Sequence, residues 1–216
     1  MQTAKTASLL AAATAVVFFL LLGVVHLHGI SQQYFELVHA PEKYTEELME
    51  HTSELNIIFV LDNIFIILYT CTAFFTIKTV NKNAPSFVSL AAYILIAAVG
   101  LLDSLENFHI YSMMQQANGG IAVTAQSIQW QSSESMMKWH LAYLAFFMLG
   151  FLMPSKSFIE KLLKYSLLCW FVPTGILVYA TVDTLYADLF QWIRYLNLFS
   201  GFILISFIMR KINTDP

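Results

Sequence analysis

Charge is what this sequence has least of: Lys, Arg, Asp and Glu make up 12% of its 216 residues, against roughly 25% in soluble chains. So little charge, beside 58% hydrophobic residues, excludes an ordinary soluble domain. The 11 Lys and Arg are nearly offset by 14 Asp and Glu, a net charge of −3, so there is no basic surface to bind nucleic acid. With only 2 Cys, Cys71 and Cys169, both in apolar stretches, a disulfide framework is excluded and inert buried thiols are expected. Internal repeats and low-complexity linkers are missing as well. So are H-E-x-x-H, G-x-S-x-G, Gly-rich phosphate loops and paired C-x-x-C, which removes the zinc-protease, esterase and nucleotide chemistries in their usual forms.

What is present is apolar sequence in blocks of about twenty residues, the length a helix needs to cross about 30 Å of hydrocarbon. Six spans are predicted, at 8–30, 56–77, 87–109, 136–153, 163–182 and 189–209. The fold class expected is therefore all-α: a polytopic integral membrane protein, six transmembrane helices in one bundle, residues 1–216 forming a single domain. The first span, apolar from Leu9 to Val25 and without a cleavage pattern after it, reads as a retained signal anchor. Orientation follows from Lys and Arg, which collect on the cytoplasmic side. With both termini inside, Lys5, Lys78, Lys82, Lys156, Lys161, Lys164, Arg210 and Lys211 are inner, eight of the 11. The topology expected is N-in/C-in, in a plasma or bacterial inner membrane, with the long connections extracytoplasmic.

Those outer connections are 31–55 and 110–135. Pro41 followed by Glu42, Glu46, Glu47, Glu50 and Glu54, with Tyr44, Leu48, His51 and Leu55 at helical spacing, predicts an amphipathic helix over 41–55 that extends the second span outward. The stretch from Gln115 to Ser135, rich in Gln, Ser, Ala and Gly, reads as a flexible loop or a partly ordered lid, with Gly119-Gly120 marking a turn. Tyr111, Trp130, Trp139, Tyr186, Trp192 and Tyr195 gather near the outer boundary as an aromatic belt. Pro173 is expected to kink the fifth span.

An ionisable side chain at a membrane helix centre costs about 2.5–3.5 kcal/mol on insertion scales, so each one retained there should face the bundle interior. Asp62, Asp103, Glu106, His109, Lys138, His140 and Arg194 all fall in the outer halves of the predicted spans. Asp103, Glu106 and Asn107 share one helix face, and Gln191, Arg194, Asn197 and Gly201 form a polar stripe on another helix. Asp62-Asn63 is followed on the same face by Ile66 and Tyr69, which predicts an outward-opening polar pocket with an apolar floor. As a packing network, Glu106 or Asp103 would pair Lys138 and Arg194 would pair Asp62, but the ionisable groups exceed what two salt bridges need. Crowded carboxylates in a partly dry site are where acid–base or proton-coupled chemistry is found.

Three function classes follow. In the first, a membrane enzyme modifies or hydrolyses a lipid or other amphiphile. Asp103 and Glu106 are its acid–base pair, Asp62 and His140 sit beside them, Lys138 and Arg194 stabilise an anionic head group, and Asn63, Asn107, His109, Gln191 and Asn197 contact the substrate. In the second, a proton-coupled transporter uses the same groups, although the inner halves of the spans offer only Ser, Thr and Tyr as a path. In the third, a non-catalytic subunit or small-molecule receptor docks a partner protein through its outer face. The residues name no cofactor and no firm metal site. A haem or copper site could draw on His26, His28, His109, Met113, Met136 and His140, although His26 and His28 lie roughly 200° apart on a regular helix.

Overall fold

The computed structural model describes residues 2–81, 86–181 and 186–214; Lys82 and Val182, used above for orientation and for the fifth span, lie outside the described residues. The fold is all-helical. In chain order the helices are α1 Gln2–His28, α2 Gln32–Phe35, α3 Pro41–Glu50, α4 Thr52–Val80, α5 Ser86–Asn118, α6 Ala125–Leu152, α7 Phe158–Tyr165, a π-helical turn Ser166–Trp170, α8 Phe171–Ala180 and α9 Ala187–Thr214. Among the described residues six helical stretches are long and apolar enough to cross a membrane, and large apolar side chains such as Phe19, Ile67, Leu101, Phe108 and Phe207 are exposed along them. That is how helices solvated by lipid rather than water look.

The helices run longer than the apolar blocks, and their ends have identifiable causes. α1 stops at His28 because Gly29 takes φ of +70° while its N–H still reaches the Val25 carbonyl at 2.9 Å. α5 continues to Asn118 and closes on a Schellman arrangement: Gly120, at φ +79°, donates to Ala117 O, and Ile121 donates to Gln116 O. Thr124 then caps α6 by accepting the Ser127 N–H at 3.1 Å. The stretch 115–135 is therefore not a loop or lid but the ends of two long helices joined through Gly119–Thr124. Most of its polar residues are exposed helix surface, and only Ala117, Val123, Ile128, Gln131 and Ser135 turn inward.

The amphipathic helix expected over 41–55 is present but separate from the second span. α3 starts with Pro41 in its first turn and ends at His51, whose φ of −107° and ψ of 22° break the helix before α4 begins. α7 opens on a capping box: the Ser157 hydroxyl accepts from Glu160 N at 3.3 Å, and the Glu160 carboxylate accepts from Ser157 N at 2.9 Å. In place of a kink shown at Pro173 itself, the structure has a π-helical turn just before it, in which Phe171 N–H reaches back five residues to Ser166 O. Widening the helix there accommodates a residue that has no N–H and crowds the preceding turn.

The chain forms two compact units: a first comprising Met1–Val16, Leu68–Ala98 and His140–Pro216, and a second comprising Val17–Ile67 and Val99–Trp139. In the first, Ser8 and Ser206 exchange hydroxyl-to-carbonyl bonds at 2.9 and 3.0 Å, Thr14 meets Thr72 at 2.9 Å, and Ala73, Ile96 and Ala145 form an apolar centre. The Tyr143 ring lies where a side chain on Gly175 would project. Cys71 is half-buried and Cys169 is exposed on its helix, so only the first approaches the buried thiol expected. The second unit is built on Phe35, Tyr44, Leu48, Leu55, Ile58, Ile110, Met114 and Ile128, all fully buried. The Tyr44 hydroxyl donates to Phe35 O at 3.1 Å, its ring meets Phe35 edge-on at 5.1 Å, and Val123 N donates to the Thr45 hydroxyl at 3.1 Å. These bonds hold the α1–α3 connection against the same unit's helices.

Candidate functional site

The second unit buries one ammonium among three carboxylates. Lys138 on α6, 5% exposed, donates to Glu36 at 3.2 Å and Asp103 at 3.0 Å, and also to Glu106. Glu106 and Asp103 come from adjacent turns of α5, as their spacing predicted. Glu36 comes from the residue after α2, and the whole side-chain set is buried, Glu106 completely. Around this centre stand neutral donors. Trp139 Nε1 donates to the second Glu36 oxygen at 2.8 Å, and the Ser135 hydroxyl and Gln131 amide both donate to Glu106 Oε1, the latter at 3.4 Å. The Gln131 Oε1 atom is buried without a hydrogen-bond partner among the described residues.

A second polar chain lies in the same unit. Asn107, 3% exposed, donates to Asp62 on α4 at 2.7 Å and accepts from Gln32 on α2. One turn beyond Glu106, His109 Nδ1 meets Glu134 at 2.7 Å, and this pair is partly open, with 47% and 23% of the two side chains exposed. The connection that carries Gln32 and Glu36 is steadied by His39. Its ring stacks on Tyr34 at 4.1 Å and its Nε2–H donates to Tyr34 O at 3.0 Å. Burial is the main reason its imidazole titrates below the usual range; Lys43 lowers it further, while the Tyr34 carbonyl and Glu47 act in the other direction. Burial, then Glu47, raises the Tyr34 phenol, and burial raises the Tyr44 phenol much further, with the Glu106 carboxylate adding to it.

Of the residues expected to form the site, Asp62, Asp103, Glu106, Asn107 and Lys138 belong to these connected networks. Ile66 and Tyr69, the expected floor, are both buried. Asn63 is exposed and spends its amide on Phe59 O, one turn back on its own helix, at 2.7 Å. His140, Gln191, Arg194 and Asn197 belong to the first unit. There His140 packs against Tyr143 and Tyr179 with ring centroids 6.0 and 6.1 Å away, and Gln191 donates to the Tyr195 hydroxyl at 3.1 Å. Arg194 is fully buried with its guanidinium 5.6 Å from the Tyr195 ring centroid, and Asn197 accepts from Ser166 at 2.6 Å.

For the metal alternative, His26 is exposed, and His28 lies 3.8 Å from Glu54. Met113 is buried while Met136 is exposed, and His109 is engaged by Glu134. Among the described residues no group of three or more His, Cys, Asp and Glu side chains is placed to hold a metal ion.

The sequence reading does not single out Glu36, Gln131, Ser135, Gln32 or Glu134, and it places Trp139 only in the aromatic belt. Two signals were available. Glu36 is a lone carboxylate inside Tyr34-Phe35-Glu36-Leu37-Val38, a run too apolar for a solvated connection. Gln131, Ser135 and Lys138 recur at i, i+4 and i+7, the signature of one helix face, which is hidden as long as 115–135 is taken for a loop. The chain matches no protein-family model, no curated protein and no solved structure.

Proposed function

We propose that this chain is a multi-pass integral membrane protein, N-in/C-in, whose Glu36–Asp103–Glu106–Lys138 cluster binds and releases protons, and that it works as a proton-coupled carrier. One observation carries the reading: three carboxylates converge on a single buried ammonium. Ionised throughout, the four groups would carry a net charge of −2, and each charge kept out of water costs several kcal/mol. Trp139, Ser135 and Gln131 soften that cost with hydrogen bonds but supply no positive charge. Carboxylates crowded in this way share protons rather than all ionising together. The N-in/C-in orientation draws its support from the Lys and Arg distribution, and it puts the α1–α3 connection, with Glu36, on the extracytoplasmic side.

The same geometry weighs against Asp103 and Glu106 as an acid–base pair acting directly on a lipid. Glu106 has no exposed surface, and Lys138 is engaged by three acceptors, which leaves it little capacity for a head group. The lipid-enzyme reading draws on a different observation, the half-open His109–Glu134 pair, which has the form of an oriented general base.

Reconstituted vesicles separate the two. As a carrier, the protein dissipates an imposed pH gradient when its co-substrate is present, and Glu106→Gln removes that effect while His109→Ala leaves most of it. As an enzyme, His109→Ala and Glu134→Gln change the lipid composition of cells and Glu106→Gln does not. Gradient decay that is equal with and without the protein across a panel of candidate solutes contradicts the carrier reading.

A further inference from the structure

The first unit contains a feature that the proton cluster does not use. Where the π-helical turn packs beside α9 there is a cavity of about 20 Å³, enough for one water-sized group. Ser166, Leu167 and Phe171 line it from the π-turn side, and Asn197, Gly201 and Phe202 from α9. Its walls are mostly apolar, but its polar balance is incomplete. Asn197 Oδ1 accepts from the Ser166 hydroxyl at 2.6 Å, while Asn197 Nδ2 is buried with no hydrogen-bond partner among the described residues. Exchanging the amide's oxygen and nitrogen does not cure this, because only one of its two ends meets Ser166. Gly201 sits one turn further along α9, and a Cβ built on it meets nothing within 4 Å, so the space extends to that residue. The π-turn is the third element: its wide hydrogen bond from Phe171 to Ser166 displaces this stretch of helix, a deviation that recurs at binding sites in helical proteins.

We propose that this cavity binds one ordered water molecule through its oxygen. The oxygen accepts from Asn197 Nδ2 and its proton is offered to the Ser166 hydroxyl oxygen. Two polar partners in an otherwise apolar hole are what a single ordered water requires.

Two small substitutions on α9 of the full-length protein in lipid nanodiscs test it. Gly201→Ala adds a methyl that crowds the oxygen without replacing its hydrogen bonds. Gly201→Ser adds a hydroxyl one turn from Asn197, within reach of its amide. The melting temperature of Gly201→Ser is expected to stay near that of the wild type and that of Gly201→Ala to fall below it. Helix propensity alone puts Ala above Ser, so this order has to come from the site. Gly201→Ala melting at or above Gly201→Ser shows a dry cavity and overturns the proposal.

Discussion

Replacing Lys138 by Met while leaving all three carboxylates in place probes the cluster where the charge imbalance is greatest. Met keeps the length and apolar stem of Lys and removes only the ammonium, so packing is nearly preserved. What is lost is the partner of Glu36, Asp103 and Glu106 together, at a site where Lys138 is 5% and Glu106 0% exposed. Removing one member of a buried ion pair costs about 3–5 kcal/mol, and here three acceptors lose their donor at once. Glu106→Gln is the counterpart. It removes one surplus negative charge, preserves the shape and leaves Lys138 bonded to Glu36 and Asp103, so it should cost less than about 1 kcal/mol. The assay is thermal unfolding of the purified protein in one detergent, run near neutral pH and again at acidic pH. Lys138→Met should be strongly destabilised at neutral pH and recover as the solution is acidified, because protons neutralise the stranded carboxylates. Glu106→Gln should hardly move. Equal losses for the two variants, as for a simple one-to-one salt bridge, or a Lys138→Met deficit that does not change with pH, would refute the reasoning.

Three further outcomes are expected. Because burial holds the His39 imidazole below its usual range, the fold favours the neutral ring. Its contribution is full above the unfolded value of about 6.5 and is lost as pH falls through that value toward the folded one; amides of residues 34–40 should therefore lose hydrogen-exchange protection between about pH 7.5 and 5.5, and a His39→Phe variant should not. Asn107→Leu breaks the bonds to both Asp62 and Gln32, so exchange of the 30–38 backbone should rise with the α5 backbone unchanged. Gly175→Ala drives a methyl into the Tyr143 ring and should cost about 1–3 kcal/mol by overpacking, as read by thermal unfolding; paired with Tyr143→Ala it should cost less.

The apolar blocks were sufficient to identify six helices long enough to span a membrane, because an apolar stretch of about twenty residues has few other structures open to it. The helix ends were less legible. Thr52, Asn118 and Ala125 are polar or small, and hydropathy carries no signal where a helix runs on past its apolar stretch. Spacing identified Asp103, Glu106 and Asn107 as one face, since i, i+3 and i+4 relations are local. It could not find Glu36, which reaches Lys138 across 102 positions of sequence through a connection shaped by Gly29, α2 and the Tyr44–Phe35 bond. The same periodicity is enough to separate Lys138 from His140: two residues apart on a helix, they point about 200° from one another, and they fall in different units. Long-range partners depend on tertiary packing, which composition and periodicity do not encode.

The central claim is that the cluster holds protons at neutral pH, and infrared difference spectroscopy of the carboxyl C=O stretch tests it most directly. The wild-type protein in lipid should show a protonated-carboxyl band at neutral pH that shifts in deuterium oxide, weakens in Glu106→Gln or Asp103→Asn, and strengthens in Lys138→Met. A spectrum at neutral pH with no protonated-carboxyl band, or with one unaffected by all three substitutions, contradicts the account.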